Sequence, residues 1–177
     1  MYVTAIDVGV RNLAICVYDL RTQQVCYWHV GSIVDGKYHP YQTVTLIKTW
    51  LDRHSKYFDN SVKVIVERQM RCNMRIIESL IQFATYSKCE VISARSVKAH
   101  YGLSMRNYRL NKQKAIQFVT DYMARHPGAF SPTCTETFRT SNKKDDYADS
   151  LLLCLFFLDT YSISAVCTND ATNPCLV

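Results

Sequence analysis

The sequence predicts one α/β domain: a mixed five-stranded sheet, three antiparallel strands followed by parallel ones, flanked by helices. Two observations carry this. Near the start, three apolar runs rich in β-branched residues are joined by connections too short for a crossover, which forces an antiparallel meander. Beyond them helical and strand patterns alternate, as parallel βα units do. The length of 177 residues suits a single domain.

Tyr2 to Val8 reads as the first strand, closed by a Gly9-Val10-Arg11-Asn12 turn. Leu13 to Leu20 and Val25 to Val30 are the second and third. Tyr41 to Tyr57 carries Val44, Ile47 and Leu51 at helical spacing. Val62 to Glu67 is the fourth strand, its valines alternating with Lys63 and Ile65. A helix striped with Ile76, Ile77, Leu80 and Phe83/Ala84 follows, and then a short fifth strand, Glu90 to Ala94. Lys112 to Arg125 predicts a helix with Ile116, Val119 and Met123 inward, stopped by His126-Pro127-Gly128. The polar stretch Pro127 to Asn142 reads as a long loop, and Lys144 to Tyr161 as the last helix. The domain is expected over residues 1–165, with a flexible tail over 166–177.

Composition narrows the function classes. Hydrophobic residues make up 48% and charged residues 20%, which excludes general disorder. Lys and Arg number 21 and Asp and Glu 15, so 21 − 15 gives +6, a moderate excess suited to a polyanionic partner. The eight cysteines form no Cys-x-x-Cys pair, and the one close pair, Cys26 with His29, would alternate across a strand. No zinc site is expected; free thiols in a reducing compartment are. The start, Met-Tyr-Val-Thr-Ala-Ile-Asp, has an acid where a secretory leader needs an apolar core. The longest apolar run, Leu151 to Leu158, is far short of the ~20 residues that span a bilayer. An intracellular protein with no membrane partner is expected.

Four acids stand where an acid is costly. Asp7 closes the first strand and Glu67 the fourth. Asp146 and Asp149 lie three apart at the start of the last helix and share a face, and Asp145 and Asp149 share one at i, i+4. With the first and fourth strands adjacent at the sheet centre, Asp7 and Glu67 converge on one rim, and a helix packed there adds two more carboxylates. Such a group repels itself unless a cation sits within it. Oxygen ligands without His or Cys select Mg²⁺ or Mn²⁺. Two such ions are standard machinery for phosphodiester hydrolysis, so the pattern points to a metal-dependent nuclease.

At these residues the sequence resembles a known family. Ile6-Asp7-Val8-Gly9-Val10-Arg11-Asn12-Leu13-Ala14, Ile65-Val66-Glu67-Arg68-Gln69 and Lys143-Lys144-Asp145-Asp146-Tyr147-Ala148-Asp149-Ser150-Leu151 look like the RuvC-type Holliday junction resolvases of the RNase H-like superfamily. The poxvirus and mitochondrial branch is the nearest likeness, over roughly residues 1–160. The resemblance implies a Mg²⁺-dependent endodeoxyribonuclease, with Mn²⁺ able to substitute, that nicks four-way DNA junctions symmetrically as a homodimer. In it Asp7 would bridge two ions, Glu67 and Asp149 would each complete one ion's shell, and Asp146 would be the fourth carboxylate. The family pattern favours Asp146 over Asp145, which spacing alone leaves open. It also implies that Lys98 and either Lys112 or Lys114 touch the scissile phosphate, and that the helix after Glu67 forms the dimer contact. A poxviral member would work in host cytoplasm at sites of viral DNA replication, on recombination intermediates or replicated concatemers.

Basic and aromatic residues fall around the acids: Arg68, Arg71 and Arg75 after Glu67, then Tyr101, Arg106, Tyr108 and Arg109, and Lys143 and Lys144. They are candidates to hold phosphates and stack on unpaired bases. Removing the four acids leaves 21 − 11, or +10, on the rest of the chain, and a dimer doubles that. Three other readings stand beside this one: a nuclease of the same fold acting on RNA or an RNA–DNA hybrid, a non-catalytic junction-binding module, and an actin-like phosphotransferase. The last shares the Ile-Asp-Val-Gly opening but needs two lobes, where this length supplies one.

Overall fold

The computed structural model describes residues 1–104 and 107–161. Its sheet is built from β1 (Tyr2–Asp7), β2 (Leu13–Asp19), β3 (Gln24–Gly31), β4 (Ser61–Glu67) and β5 (Cys89–Ile92), in spatial order β3-β2-β1-β4-β5. β1, β2 and β3 pair antiparallel, while β4 runs parallel to β1 and β5 parallel to β4. The expected mixed sheet is therefore the observed one. The site proposed below hangs on one consequence: β1 and β4 are central, adjacent and parallel, so both C-terminal ends reach the same rim.

Among the described residues, seven α-helices cover the two faces. α1 (Thr43–Arg53), α2 (Ser55–Asp59) and α3 (Cys72–Ala84) bury Ile47, Trp50, Phe58, Ile77 and Ile81 against Ile6, Ile15, Val64 and Val66. On the other face lie α4 (Ala94–His100), α5 (Tyr108–Arg125), α6 (Pro132–Thr140) and α7 (Lys144–Thr160). There Val3, Ala5, Cys16 and Ile65 meet Val97, Ala115, Val119, Phe138 and the long buried run Leu151–Leu155 of α7. Strand side chains alternate between these two cores. Asp7 has the parity of Val3 and Ala5, and Glu67 that of Ile65, so both acids fall on the α7 side. No described helix is long and apolar enough to cross a membrane. The six described cysteines are free thiols, and Cys16, Cys134 and Cys154 are buried.

Four expectations need correction. The helix expected over Tyr41–Tyr57 breaks at His54, which leaves helical geometry at φ −107° and ψ 11° while its ring Nδ1 lies 2.8 Å from the Trp50 carbonyl. Ala94 does not end the fifth strand; it opens α4, capped by Ser93, whose hydroxyl accepts from the Arg95 N–H. α5 begins at Tyr108, not Lys112, because the Asn107 side chain caps it by accepting from the Arg109 and Leu110 N–H groups. The supposed loop Pro127–Asn142 contains α6, which has Ser131 as its cap and Pro132 in its first turn. Cys134 and Phe138, four apart, are its buried stripe. Ahead of it, the Val25 N–H donates to Ala129 O at 2.8 Å and the Ser131 N–H to Val25 O at 3.0 Å, which ties the segment to β3. The expected tail, the last residues of the expected domain, Arg106, Cys167 and Cys175 lie outside the described residues.

Trp28 fastens the β3 edge to α6 and α7. Its ring stacks on Phe138 at 5.2 Å and meets Tyr147 edge-on at 5.2 Å, and its indole N–H donates to the buried Ser150 hydroxyl at 3.1 Å. Phe138→Ala should destabilise the fold by about 3–5 kcal/mol in urea-induced unfolding, as truncation of a packed aromatic does. A cost below about 1 kcal/mol would mean that α6 is an appendage and not part of the core.

Candidate active site

The rim where β1 and β4 end opens into a cleft of about 490 Å³. Asp7, Glu67, Asp146 and Asp149 all line it, as do Lys98 and Lys112. The four acids come from three separated segments and meet because of local geometry. Asp7 and Glu67 follow the paired residues Ile6 and Val66 and carry the same parity. Asp146 and Asp149 sit in the first two turns of α7, which crosses the sheet on that side. Gly9 turns the chain sharply out of β1 over the cleft. A Cβ there would come within 2.6 Å of the Asn12 carbonyl oxygen, closer than any real side chain sits.

The structure separates the neighbours that spacing could not. Adjacent helical residues point about 100° apart. Asp146 faces the cleft, whereas Asp145 is ion-paired with Lys112. Lys112 lines the cleft and Lys114 does not. Lys98, on α4, lies 3.4 Å from Asp149 Oδ1. Arg71 lines the cleft, but Arg68 lies in a neighbouring groove with Arg75. Lys143 and Lys144 are outside the cleft lining, and Lys144 rests 5.9 Å over the Phe138 ring. Sequence reasoning passed over Arg11, Asn12 and Gln69, which also line it. Arg11 was legible only as a turn residue; its guanidinium donates to Gly36 O at 2.8 Å, which fixes it beside the cleft mouth.

The electrostatics record the crowding. Asp7 is raised well above the ordinary carboxylate range, first by burial, then by a hydrogen bond to Glu67 and the charges of Glu67, Asp149 and Asp146. Asp146 is pushed up to about 6, mainly by burial and then by Asp145, with Lys112 and Lys143 opposing. Burial also raises Asp149, against the pull of Lys98. Asp145 goes the other way: burial pushes it up, but the hydrogen bond to Lys112, the charge of Lys112 and backbone hydrogen bonds together bring it below the ordinary value. Asp146 Oδ2 is buried and has no hydrogen-bond partner among the described residues. An unpartnered carboxylate oxygen facing other acids is what a hard cation would satisfy, so the donor set fits Mg²⁺ or Mn²⁺. Among the described residues, however, no three His, Cys, Asp or Glu side chains already stand around one point as a ready-made ion cage. Binding would draw the carboxylates together.

A family model described as poxvirus A22 protein matches residues 1–160. The chain belongs to the poxvirus A22 protein family. That bears out the resolvase resemblance of its three motifs. Among solved structures, the yeast mitochondrial Holliday junction resolvase superposes with a TM-score of 0.66 at 18% identity, over 85% of this chain and 76% of that one. The fowlpox virus resolvase, solved with its Holliday junction substrate, gives 0.66 at 18%, over 90% and 97%. Thermus thermophilus RuvC gives 0.52 at 12%, over 90% and 96%. At such identities the likeness is one of fold, and it is the RuvC-type, RNase H-like fold expected. None of the curated proteins matches in sequence.

Asp7, Asp146 and Asp149 bind protons more readily in the folded A22-family chain than in the unfolded one. Their contribution to stability is full below the ordinary carboxylate value near 4. It is lost as pH rises through the raised values, about 6 for Asp146. In EDTA, Asp7→Asn should therefore melt higher than wild type at pH 7.5, by about 2–4 °C for each kcal/mol of repulsion relieved. Near pH 4 the gap should close. Equal melting temperatures at both pH values would show that the acids do not repel one another.

Proposed function

We propose that this A22-family protein is a Holliday junction resolvase, a metal-dependent endodeoxyribonuclease that nicks four-way junctions in two opposed strands. The observation that carries the reading is the cleft itself: four carboxylates from three segments at one rim, two lysines among them, and a buried Asp146 oxygen with no partner. A binding module for DNA gains nothing from four acids facing a polyanion, which disfavours a non-catalytic role.

Asp7, Glu67, Asp146 and Asp149 are the residues that would hold the divalent ions, Mg²⁺ or Mn²⁺. Bound there, such ions supply an activated water and neutralise charge on the leaving 3′ oxygen. Lys98 and Lys112 approach the acids from α4 and α5 and are placed to hold the scissile phosphate and stabilise its developing charge. Arg11 and Arg71, at the mouth, are placed to fix flanking phosphates, which sets register and not sequence. Arg68, Lys114, Lys143 and Lys144 then belong to a wider electrostatic surface for the junction arms.

A junction has two-fold symmetry and one chain has one cleft, so paired nicks call for a homodimer. The region of α3 offers a surface for it: Met70, Ile76, Phe83 and Tyr86 are exposed, Phe83 at 81%. Poxviral membership supports action in host cytoplasm, where viral DNA is replicated. The domain reading, a nuclease unit over 1–165 with a tail after it, goes with this.

With Mg²⁺, the wild-type protein should cut a mobile junction at paired, symmetric positions and leave an RNA–DNA hybrid intact. Asp7→Asn should bind the junction with wild-type affinity and cut nothing. Lys98→Ala should slow single-turnover cutting on the order of a hundredfold, as loss of one fixed cationic donor does. Retained cutting by Asp7→Asn, or preference for the hybrid, would refute the assignment.

A further inference from the structure

Glu78 is a buried carboxylate in α3 that no step above uses. Its Oε2 accepts a hydrogen bond from the Gln69 backbone N–H at 2.7 Å. Gln69 in turn directs its side-chain amide at Glu67, with Nε2 3.2 Å from the Glu67 carbonyl and 3.3 Å from Glu67 Oε2. We propose that Glu78 is a positioning residue: through Gln69 it fixes the carboxylate of Glu67 for ion binding. The inference rests on the reading of Glu67 as an ion ligand.

The physical need is local. β4 ends at Glu67, and the Arg68 N–H still pairs with Ile92 O of β5 at 2.8 Å. Gln69 is the first residue past that ladder, so its N–H would be left without a strand partner. A buried carboxylate is a costly acceptor, and it makes a stronger bond to an amide than a neutral group does. That bond pins the chain two residues beyond Glu67, short of the start of α3. Pinned there, the Gln69 amide holds one oxygen of Glu67. Without it, repulsion from Asp7 is free to swing Glu67 out of the cleft, because the two side chains touch. Removing outer partners of metal-binding carboxylates typically weakens metal affinity 10- to 100-fold.

The probe is Mn²⁺ alone, titrated into the full chain and followed by electron paramagnetic resonance. Glu78→Leu, close in size and without an acceptor, should weaken Mn²⁺ binding about tenfold. Glu78→Gln, which keeps an acceptor, should stay within about threefold of wild type. Gln69→Ala should weaken binding as Glu78→Leu does, and combining the two should weaken it no further. Junction affinity in EDTA should be unchanged throughout. Gln69 is only partly buried, so Gln69→Ala tests the second link even where Glu78→Leu fails to fold. Wild-type Mn²⁺ affinity in Gln69→Ala, or additive losses in the pair, would overturn the relay. Ion affinity is read without substrate, so a wild-type chain that binds Mn²⁺ and cuts no junction refutes the proposed activity and leaves the relay to stand or fall separately.

Discussion

Everything at the rim follows from mutual repulsion among four carboxylates that the fold brings together. Asp7 and Glu67 cannot avoid each other, because they close adjacent parallel strands at the same parity. The backbone cannot move to relieve it, because Val3, Ala5 and Ile6 of β1 and Val64, Ile65 and Val66 of β4 are fully buried. Repulsion in a part-buried site costs several times what it would in water. The chain supports it with the most deeply buried helix in the molecule. Leu151, Leu152, Leu153, Cys154 and Leu155 follow the acids directly in α7, and all are buried. At roughly 1.5–3 kcal/mol for each large apolar side chain, that run anchors the helix strongly enough to hold its charged end in place.

The lysines distribute the remaining charge unevenly. Two of them enter the acidic cleft, and each leans on a different acid: Lys98 on Asp149 and Lys112 on Asp145. Those contacts offset part of the repulsion, while Asp146 receives only the more distant pull of Lys112 and Lys143. Asp7, Glu67 and Asp146, which have no such ion pair among the described residues, are thus the acids with the greatest need for an external cation. That asymmetry ties the folding problem to the proposed chemistry, since the groups that destabilise the ion-free protein are the groups that would hold the ions.

The sheet was legible because period-two alternation and connection length together leave few topologies. Tyr2–Asp7 and Ser61–Glu67 carry β-branched runs ending in an acid, and that ending was the strongest sign of a site. The short helices were not legible. α4 buries only Val97, so it has no stripe to read. α6 hides its Cys134–Phe138 stripe among threonines, although Ser131-Pro132 was a start signal in plain view. At the site, the sequence named the acids but could not choose between neighbours, because direction around a helix depends on where its axis lies. Lys112 and Lys114 project about 200° apart, so only one can reach the cleft. Arg11 and Gln69 stayed hidden for another reason. Their placement depends on Gly36 O and on Glu78, partners 25 and nine residues away that no local pattern connects.

Asp145 shows how a residue outside the cleft can decide what lies inside it. Three acids occupy the first two turns of α7, and the dipole at its N-terminus favours Asp145 and Asp146, both in the first turn, alike. Lys112 breaks the tie. Its ion pair draws Asp145 toward α5 and lowers its proton affinity, while the same charge reaches Asp146 only as a weaker opposing pull. Asp146 therefore keeps a high proton affinity and an unpartnered buried oxygen. If Asp145 lost its charge, the charge of Lys112 would be left to act on Asp146 and Asp149, which it already reaches. Asp145, by pairing with Lys112, limits how far that lysine offsets the charge of Asp146.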